Sequence, residues 1–269
     1  MNTNRRRVLA ASSVPVAALA AVVASQSPAS AASAASTLAA GSATASALST
    51  PATSSVVSAP AAAAVPDTFA ASTLLRLGSR GSAVLAAQKR LTALGYWLGT
   101  PDGIYGPSTM HAVIALQKVA GLARDGILGP ITARAMAAGV RPAARTKIGQ
   151  VVEIDLAHQV LLVVSSGRVR LIFDTSTGSG AYYYSLGRLH HAVTPKGTYH
   201  VFRSVNGWDS GPLGKLYRPR YFNGGIAVHG YPSVPTWPAS HGCVRVTIPA
   251  MDYLWAHALL PIGRTVLVR

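Results

Sequence analysis

A low-complexity stretch at residues 32–73 limits where this chain can build a hydrophobic core. It consists almost entirely of Ala, Ser, Thr, Pro, Val and Gly, and Asp67 is its single charged residue. A segment with so few large apolar side chains cannot bury enough surface to offset the entropy lost on ordering. We therefore expect a disordered linker here, which leaves residues 74–269 to form one large domain or two modest ones.

The residues before this linker have the pattern of an export signal. Three arginines at Arg5–Arg7 precede an apolar run of 16 residues that ends at Val23 and contains Pro15. A membrane span needs about 20 apolar residues, so this run is too short. Small-residue sites suited to cleavage follow at 29–34. We expect residues 1–31 to be a signal peptide that resembles twin-arginine signals, with Sec as the alternative route, and the mature protein to be exported without a stable membrane span.

Charge and cysteine content narrow the classes of partner and site. Lys and Arg outnumber Asp and Glu by 24 to 8, and the formal net charge of +16 suits residence near a polyanion. Nucleic acid, a membrane surface and an anionic cell wall all fit this charge, but nucleic acid is a poor candidate for an exported protein. The single cysteine excludes an internal disulfide framework and any Cys-rich zinc or iron–sulfur site.

Residues 74–140 have the pattern of short helices around an internal repeat. The sequence D-G-I-Y-G-P-S-T at 102–109 recurs as D-G-I-L-G-P-I-T at 125–132. Each copy predicts an Asp-Gly turn, then one apolar plug (Ile104 or Ile127), then a helix opened by Pro and Thr. With a further apolar 3–4 spacing before the first copy, the pattern predicts three helices.

This repeat resembles the peptidoglycan-binding type 1 module, a small three-helix domain. The resemblance implies non-catalytic attachment to cell-wall glycopeptide. The residues alone leave a second interpretation open, a compact helical spacer whose duplicated turns only satisfy packing geometry. A short basic segment at 141–146 separates this region from the next.

Residues 147–269 change to the alternation and turn residues of β structure. Strand-like segments occur at 151–156, 160–164, 169–175, 197–203, 226–229, 244–247 and 265–268, with one amphipathic helix at 249–259. They predict a mostly antiparallel β domain of about 120 residues, large enough for its own core. The predicted fold class is α+β, with a small helical domain followed by a β domain.

The single thiol has the surroundings of a nucleophile. It lies in S-H-G-C-V-R at 240–245, and an H-G pair at 229–230 precedes Cys243 by fourteen residues. A cysteine nucleophile needs a nearby imidazole that takes its proton and lowers its pKa. Gly242 is expected to leave backbone N–H groups free to face an oxyanion. Local spacing favours His241 as the base, because residues i and i+2 share a strand face.

Two other roles for this thiol stay open from the residues alone. A lone cysteine is often a small buried hydrophobe. His229, His241 and Cys243 could also form an open zinc site, but no acidic residue lies nearby in sequence to orient the histidines. We expect no metal and no cofactor.

The S-H-G-C-V-R sequence after an upstream H-G resembles the L,D-transpeptidase (YkuD-like) catalytic domain. An S-T-G turn at 176–178 and a T-P-K-G segment at 194–197 match the same family. The resemblance implies a sandwich-like catalytic domain over residues 147–269. It also implies that Cys243 is the nucleophile and that His229, rather than the neighbour favoured by local spacing, is the general base.

The resemblance implies supporting residues as well. The carbonyl of Gly230 orients the His229 imidazole, and His241 and Gly242 assist at the reacting centre. Four further residues are predicted to contact or orient substrate, namely Ser240, Arg245, Tyr231 and Trp237.

The implied reaction is acyl transfer on peptidoglycan. The thiol attacks the amide before the terminal D-Ala of a tetrapeptide stem, and an acceptor amine from another stem resolves the thioester. Water as acceptor would make the protein an L,D-carboxypeptidase, and loss of the chemistry would leave a catalytically inactive cell-wall-binding protein. We expect a monomer whose partners are peptidoglycan stem peptides and glycan, without nucleic acid. How the two domains sit relative to each other is left open.

Overall fold

The computed structural model describes residues 74–269, so the predicted signal peptide (1–31) and linker (32–73) lie outside the described residues. The described chain begins with three helices: α1 (Ser82–Ala93), α2 (Pro107–Val119) and α3 (Pro130–Ala137). A proline directly after a glycine opens α2 and α3, because proline at the first helical position loses no hydrogen bond. No helix within residues 74–269 is both long and apolar enough to cross a membrane.

Each copy of the repeat wraps around one buried glutamine. The Gln88 side chain donates to the Asp102 carboxylate (2.9 Å), the Ile104 carbonyl (3.0 Å) and the Thr109 hydroxyl (2.9 Å). Its oxygen accepts from the backbone N–H of Gly103 at 2.8 Å. Gln117 makes the corresponding bonds with the second copy, to Asp125, Gly126, Ile127 and Thr132. The repeat therefore satisfies a buried amide in each half of the helical domain.

The apolar plug in each copy is one residue later than predicted. Tyr105 and Leu128 are buried, whereas Ile104 is exposed and Ile127 is only half-buried. The prediction that the two isoleucines fill the core is wrong, because their carbonyls turn inward to the buried glutamines. The following side chain then points into the core.

The second part of the chain contains strands and a fourth helix. Their bounds are β1 (Gln150–Asp155), β2 (Val160–Ser165), β3 (Arg168–Asp174), β4 (Tyr182–Ser185), β5 (Arg188–His191), β6 (Gly197–His200), β7 (Arg203–Ser204), β8 (Trp208–Gly211), β9 (Gly214–Asn223), β10 (Ile226–Tyr231), β11 (Val244–Thr247), α4 (Ile248–Ala256) and β12 (Thr265–Val268).

These strands form two larger sheets and a separate hairpin. One sheet has the order β3-β2-β1-β12-β6, the other has the order β11-β10-β9-β7 with β8 paired to β9, and β4 pairs with β5. The pairing is antiparallel except for β1 with β12 and β10 with β11. Val152 and Val266 of the first sheet share one buried cluster with Val228 and Val246 of the second and with Leu254 of α4. The α+β prediction with a mostly antiparallel second part is confirmed.

The helical part packs directly on the β part. Leu91 and Leu116 of α1 and α2 lie in one buried cluster with Leu162 and Ile172 of β2 and β3. The segment between the two parts is also tied down, because the backbone N–H of Arg145 donates to the Glu153 carboxylate at 2.9 Å. The helices therefore cover the face of the first sheet that points away from the second sheet.

A buried ion pair crosses this contact. Lys118 of α2 and Asp174 of β3 have side chains 0% and 1% exposed, and Lys118 Nζ lies 2.6 Å from Asp174 Oδ1. Lys118 also donates to the carbonyls of Thr175 (2.8 Å) and Gln159 (3.3 Å), and His111 Nδ1 lies 2.7 Å from Asp174 Oδ2. Burial lowers the pKa of Lys118, and the Asp174 carboxylate partly offsets this.

Candidate active site

The parallel pairing of β10 with β11 builds the centre of the site. Val228 is opposite Val244 and His229 is opposite Arg245, so Cys243, which directly precedes β11, lies beside Ala227. Side chains directly opposite each other in a sheet share a face, and so do residues two apart in one strand. His229, Arg245 and Cys243 therefore project from the same face of two adjacent strands.

The imidazole of His229 has a fixed tautomer. Its Nδ1 lies 3.0 Å from the carbonyl oxygen of Gly230, and a carbonyl can only accept, so Nδ1 carries the proton and Nε2 is left as an acceptor. Burial lowers the pKa of His229 to about 4; the Gly230 carbonyl opposes this shift, and the positive charge of Arg245 adds to it. The imidazole is therefore neutral at neutral pH.

The thiol is also neutral at rest. Burial raises the pKa of Cys243, while the backbone N–H of Ala227 and the charge of Arg245 partly offset that rise. The expectation of a lowered thiol pKa is wrong, because desolvation of the thiolate outweighs the nearby positive charge. The site therefore holds a neutral thiol and a neutral imidazole at rest.

Position 230 contacts His229 through its carbonyl, and the packing around it leaves room only for a glycine. A Cβ at this position would lie 2.9 Å from Tyr217 Cδ1 and 3.1 Å from Met251 Cβ. The first atom belongs to β9 and the second to α4, so β10 is closely enclosed on both sides. A side chain at position 230 would displace the carbonyl that holds His229.

The loop before the thiol is fastened by its own hydroxyl groups. The N–H of Gly242 donates to Ser240 Oγ at 3.0 Å, and Ser240 Oγ donates to the Cys243 carbonyl at 2.6 Å. Thr194 Oγ1 donates to the Gly242 carbonyl at 2.6 Å and accepts from the Gly178 N–H at 3.0 Å. The Gly242 N–H is therefore engaged by Ser240, so it is not among the backbone N–H groups free to face an oxyanion.

The backbone at Gly242 differs from that of a regular strand. Its φ is +135°, and a Cβ there would lie 2.8 Å from the Val193 carbonyl oxygen. Because this φ is not that of a strand residue, the i, i+2 rule for a strand face does not apply between His241 and Cys243. His241 is exposed and meets the edge of Tyr183 with ring centroids 4.5 Å apart.

Cys243 opens into a cleft of about 500 Å³. The β4–β5 hairpin borders one side and the β8–β9 hairpin the other, and the thiol lies 3.7 Å from the Gly225 carbonyl. The lining residues include Tyr183, Leu186 and His190 of the first hairpin, Asp209, Leu213 and Tyr221 of the second, and Arg203 of β7. The thiol is thus accessible from a cleft, while the imidazole beside it is buried.

Known proteins match both parts of the chain. Residues 149–268 match the sequence model of the L,D-transpeptidase catalytic domain, and residues 80–136 match that of a peptidoglycan binding domain. A solved L,D-transpeptidase structure from Xylanimonas cellulosilytica is 49% identical with a TM-score of 0.71, over 73% of this chain and 98% of that one. The chain belongs to the L,D-transpeptidase family.

Two curated relatives of another kind match this L,D-transpeptidase-family chain over shorter stretches. The N-acetylmuramoyl-L-alanine amidase CwlL of Bacillus licheniformis is 51% identical over 71 residues, which is 26% of this chain and 20% of the amidase. The amidase CwlM of Mycobacterium tuberculosis is 43% identical over 56 residues, 21% of this chain and 14% of that protein. The chain spans a fifth or less of the length of these two relatives.

The remaining predicted residues of this family member divide between the site and the surface. The Arg245 guanidinium lies 4.4 Å above the Tyr231 ring, and Tyr231 meets His229 edge-on at 5.8 Å, so both wall the imidazole. Trp237 is 62% exposed, and its recorded bond is through its carbonyl, which accepts from Ser176 Oγ at 2.7 Å. The structure brings the first two to the site and leaves the Trp237 side chain at the surface.

Sequence reasoning missed the cleft walls. Tyr183 and His190 pair across the β4–β5 hairpin with stacked rings 5.3 Å apart, and Arg203 and Asp209 come from the opposite side. Three tyrosines at 182–184 and two histidines at 190–191 flank a Leu-Gly turn, but nothing in that pattern indicates which strand the hairpin faces. Across residues 74–269, no group of three or more His, Cys, Asp or Glu is arranged to hold a metal ion.

Proposed function

We propose that this chain is a cysteine-dependent L,D-transpeptidase that acts on peptidoglycan tetrapeptide stems. The observation that carries the proposal is the pairing of β10 with β11, which aligns a buried imidazole with a thiol that opens into a cleft. The Gly230 carbonyl leaves His229 Nε2 as the acceptor for the thiol proton. Cys243 is the nucleophile and His229 is the general base.

In the first half-reaction, the Cys243 sulfur attacks the carbonyl carbon of the amide before the terminal D-Ala. An S–C bond forms, the thiol proton moves to His229 Nε2, and the carbonyl oxygen becomes an oxyanion. Collapse of this intermediate breaks the C–N bond. His229 returns the proton to the leaving nitrogen, so D-Ala departs as the amine and a thioester remains on Cys243.

In the second half-reaction, the amine of an acceptor stem attacks the thioester carbonyl. Its nitrogen loses a proton to His229, the C–S bond breaks, and the thiolate takes that proton back, which restores the neutral pair. Water in place of the amine gives a carboxylate and hence the L,D-carboxypeptidase reaction with the same residues. The two outcomes differ only in the acceptor.

Arg245 supplies the positive charge that this chemistry needs. Its charge lowers the pKa of both Cys243 and His229, so it favours the thiolate that forms during attack and disfavours protonation of the resting imidazole. The Tyr231 ring holds the guanidinium through a cation–π contact. We assign both residues to orienting the reacting groups.

The other predicted residues shape the approach to the thiol. Ser240 and Gly242 fix the loop that presents Cys243, because their hydrogen bonds join its two ends. His241 shapes the rim of the cleft through its contact with Tyr183. The exposed side chain of Trp237 is available to contact the acceptor stem.

We further propose that the protein is an exported monomer of the cell wall. The match of residues 80–136 to a peptidoglycan binding domain supports peptidoglycan stem peptides and glycan as its partners. The net charge of +16 suits an anionic wall. Export rests on the signal-like pattern of residues 1–31.

The test is turnover of purified protein with a disaccharide-tetrapeptide. Mass spectrometry should show D-Ala release together with a dimer that has lost one D-Ala. Cys243→Ala should abolish both products, whereas Ser166→Ala, an equally small truncation in the exposed turn between β2 and β3, should leave them unchanged. Unchanged turnover by Cys243→Ala would overturn the proposal.

The alternatives give distinct results in the same assay. An L,D-carboxypeptidase releases D-Ala without any dimer. A catalytically inactive wall-binding protein sediments with peptidoglycan but forms no products, and its thiol does not react with a carbapenem at neutral pH.

A further inference from the structure

An ion pair lines the cleft that contains the thiol, and the proposed mechanism does not use it. Arg203 of β7 and Asp209 of β8 both line the cavity that contains Cys243. Their side chains are 53% and 24% exposed, and Arg203 Nη2 lies 2.6 Å from Asp209 Oδ2. An exposed pair of this kind adds little stability, so its place in the cleft calls for another explanation.

Strand pairing places this pair in line with the nucleophile. Arg203 is opposite Tyr221 on β9, Tyr221 is opposite Ala227 on β10, and Ala227 lies beside Cys243. Residues directly opposite each other in a sheet share a face. Three strand spacings of ~4.8 Å put the two backbones about 14 Å apart, a distance that the Arg203 side chain shortens. A peptide held by the thiol can therefore extend a side chain to Arg203.

Tyr221 holds both members of the pair in position. Its hydroxyl donates to Asp209 Oδ2 at 2.8 Å, and its ring lies 4.1 Å beneath the Arg203 guanidinium. Burial raises the pKa of the Tyr221 hydroxyl, and the hydrogen bond to Asp209 raises it further. The guanidinium and the carboxylate are thus oriented before any ligand arrives.

Each member of the pair keeps free polar atoms, so the pair can bind both a cationic and an anionic group. Both recorded bonds to the Asp209 side chain end on Oδ2, and within residues 74–269 no side-chain hydrogen bond engages Oδ1. A guanidinium has five N–H donors, and within residues 74–269 the guanidinium of Arg203 makes one hydrogen bond, to Asp209. A free carboxylate oxygen suits an ammonium group, and the free N–H groups suit a carboxylate.

We propose that Arg203 and Asp209 form a subsite for a zwitterionic amino-acid group on the side chain of the donor peptide. The carboxylate binds Arg203 and the ammonium binds Asp209. The subsite rests on the proposed function, because the donor must place its scissile carbonyl at Cys243. It selects donors whose third residue ends in such a group over donors that end in an amine alone.

The test compares four donor tetrapeptides that share the same scissile amide. The first donor has meso-diaminopimelate at position three, and the second has the same residue with its side-chain carboxylate amidated. The third donor has L-lysine at position three, and the fourth has meso-diaminopimelate there and ends in D-alaninamide. Wild-type protein should show a KM at least about tenfold lower for the first and fourth donors than for the second and third, with kcat within about twofold. A tenfold change is ~1.4 kcal/mol.

Arg203→Gln should remove that preference by raising KM for the first and fourth donors only, and Arg203→Lys should restore part of it. Asp209→Asn should raise KM for all four donors, because each keeps the side-chain ammonium. The matched control is Arg168→Gln, the same change on the exposed end of β3 outside the cleft, and it should leave every KM unchanged.

Three results would overturn the subsite. They are equal KM values for the four donors in the wild type, an Arg203→Gln effect of equal size on all donors, or a preference lost only with the D-alaninamide donor. The last result would mean that Arg203 binds the C-terminal carboxylate of the stem rather than the side-chain carboxylate. Calorimetric binding of the donors to Cys243→Ala protein reports the same preferences without turnover, so failure of the proposed reaction is distinguishable from failure of the subsite.

Discussion

The buried Lys118–Asp174 pair joins the helical domain to the β domain, and removing its ammonium group should destabilise the fold. Lys118→Met keeps an unbranched stem of similar length and removes only the ammonium group. The Asp174 carboxylate then stays buried with His111 as its remaining side-chain partner, at 2.7 Å. Breaking a fully buried pair by removing one partner costs ~3–5 kcal/mol, because the other charge remains desolvated. We expect that loss in the free energy of unfolding.

Urea denaturation followed by tryptophan fluorescence measures this loss. Trp97 is a suitable reporter, since its ring stacks on Phe173, next to Asp174, with centroids 5.5 Å apart. The matched control is Lys89→Met, the same change on the exposed side of α1, which should shift the free energy by no more than ~0.5 kcal/mol.

Adding Asp174→Asn to Lys118→Met separates the buried charge from lost packing. The double variant should be less destabilised than the sum of the two single variants, because it leaves no uncompensated carboxylate. A cost below about 1 kcal/mol for Lys118→Met, or additive effects of the two changes, would show that the pair carries no buried charge interaction.

Two further predictions concern the thiol and its base. Because the pKa of His229 is lowered to about 4 and that of Cys243 is raised, alkylation of Cys243 should be nearly independent of pH from 8 to 5 and fall near pH 4. In His229→Gln the rate should instead rise about tenfold per pH unit; such a slope in the wild type would contradict the neutral pair. Gly230→Ala should slow D-Ala release at least about tenfold, as its Cβ meets Tyr217 and Met251 and displaces the carbonyl that orients His229. Gly106→Ala, whose Cβ meets no atom within 4 Å and which lies in the helical domain outside the cleft, is the control; unchanged turnover by Gly230→Ala would show that the carbonyl is not needed.

Much of the local structure follows from short-range chemistry in the sequence. Pro107 and Pro130 after glycines determine where two helices begin, and alternation after residue 147 determines that strands follow. The repeat also predicts its turns correctly. It does not reveal which side chain turns inward. That depends on the buried glutamines Gln88 and Gln117, which lie outside the repeated turns in sequence and contact them only in the folded domain.

The sequence by itself determined the family motifs, the α+β class and the candidate thiol, since these depend on residue identity and near-neighbour spacing. Only the tertiary structure decided how those residues work. The pairing of β10 with β11 puts Cys243 and His229 on one face of two adjacent strands, and burial makes both groups neutral, opposite to the expectation for the thiol. The tertiary structure alone also pairs Lys118 with Asp174, which are 56 residues apart in sequence. Desolvation and strand register depend on the whole packed chain, and no local pattern encodes them.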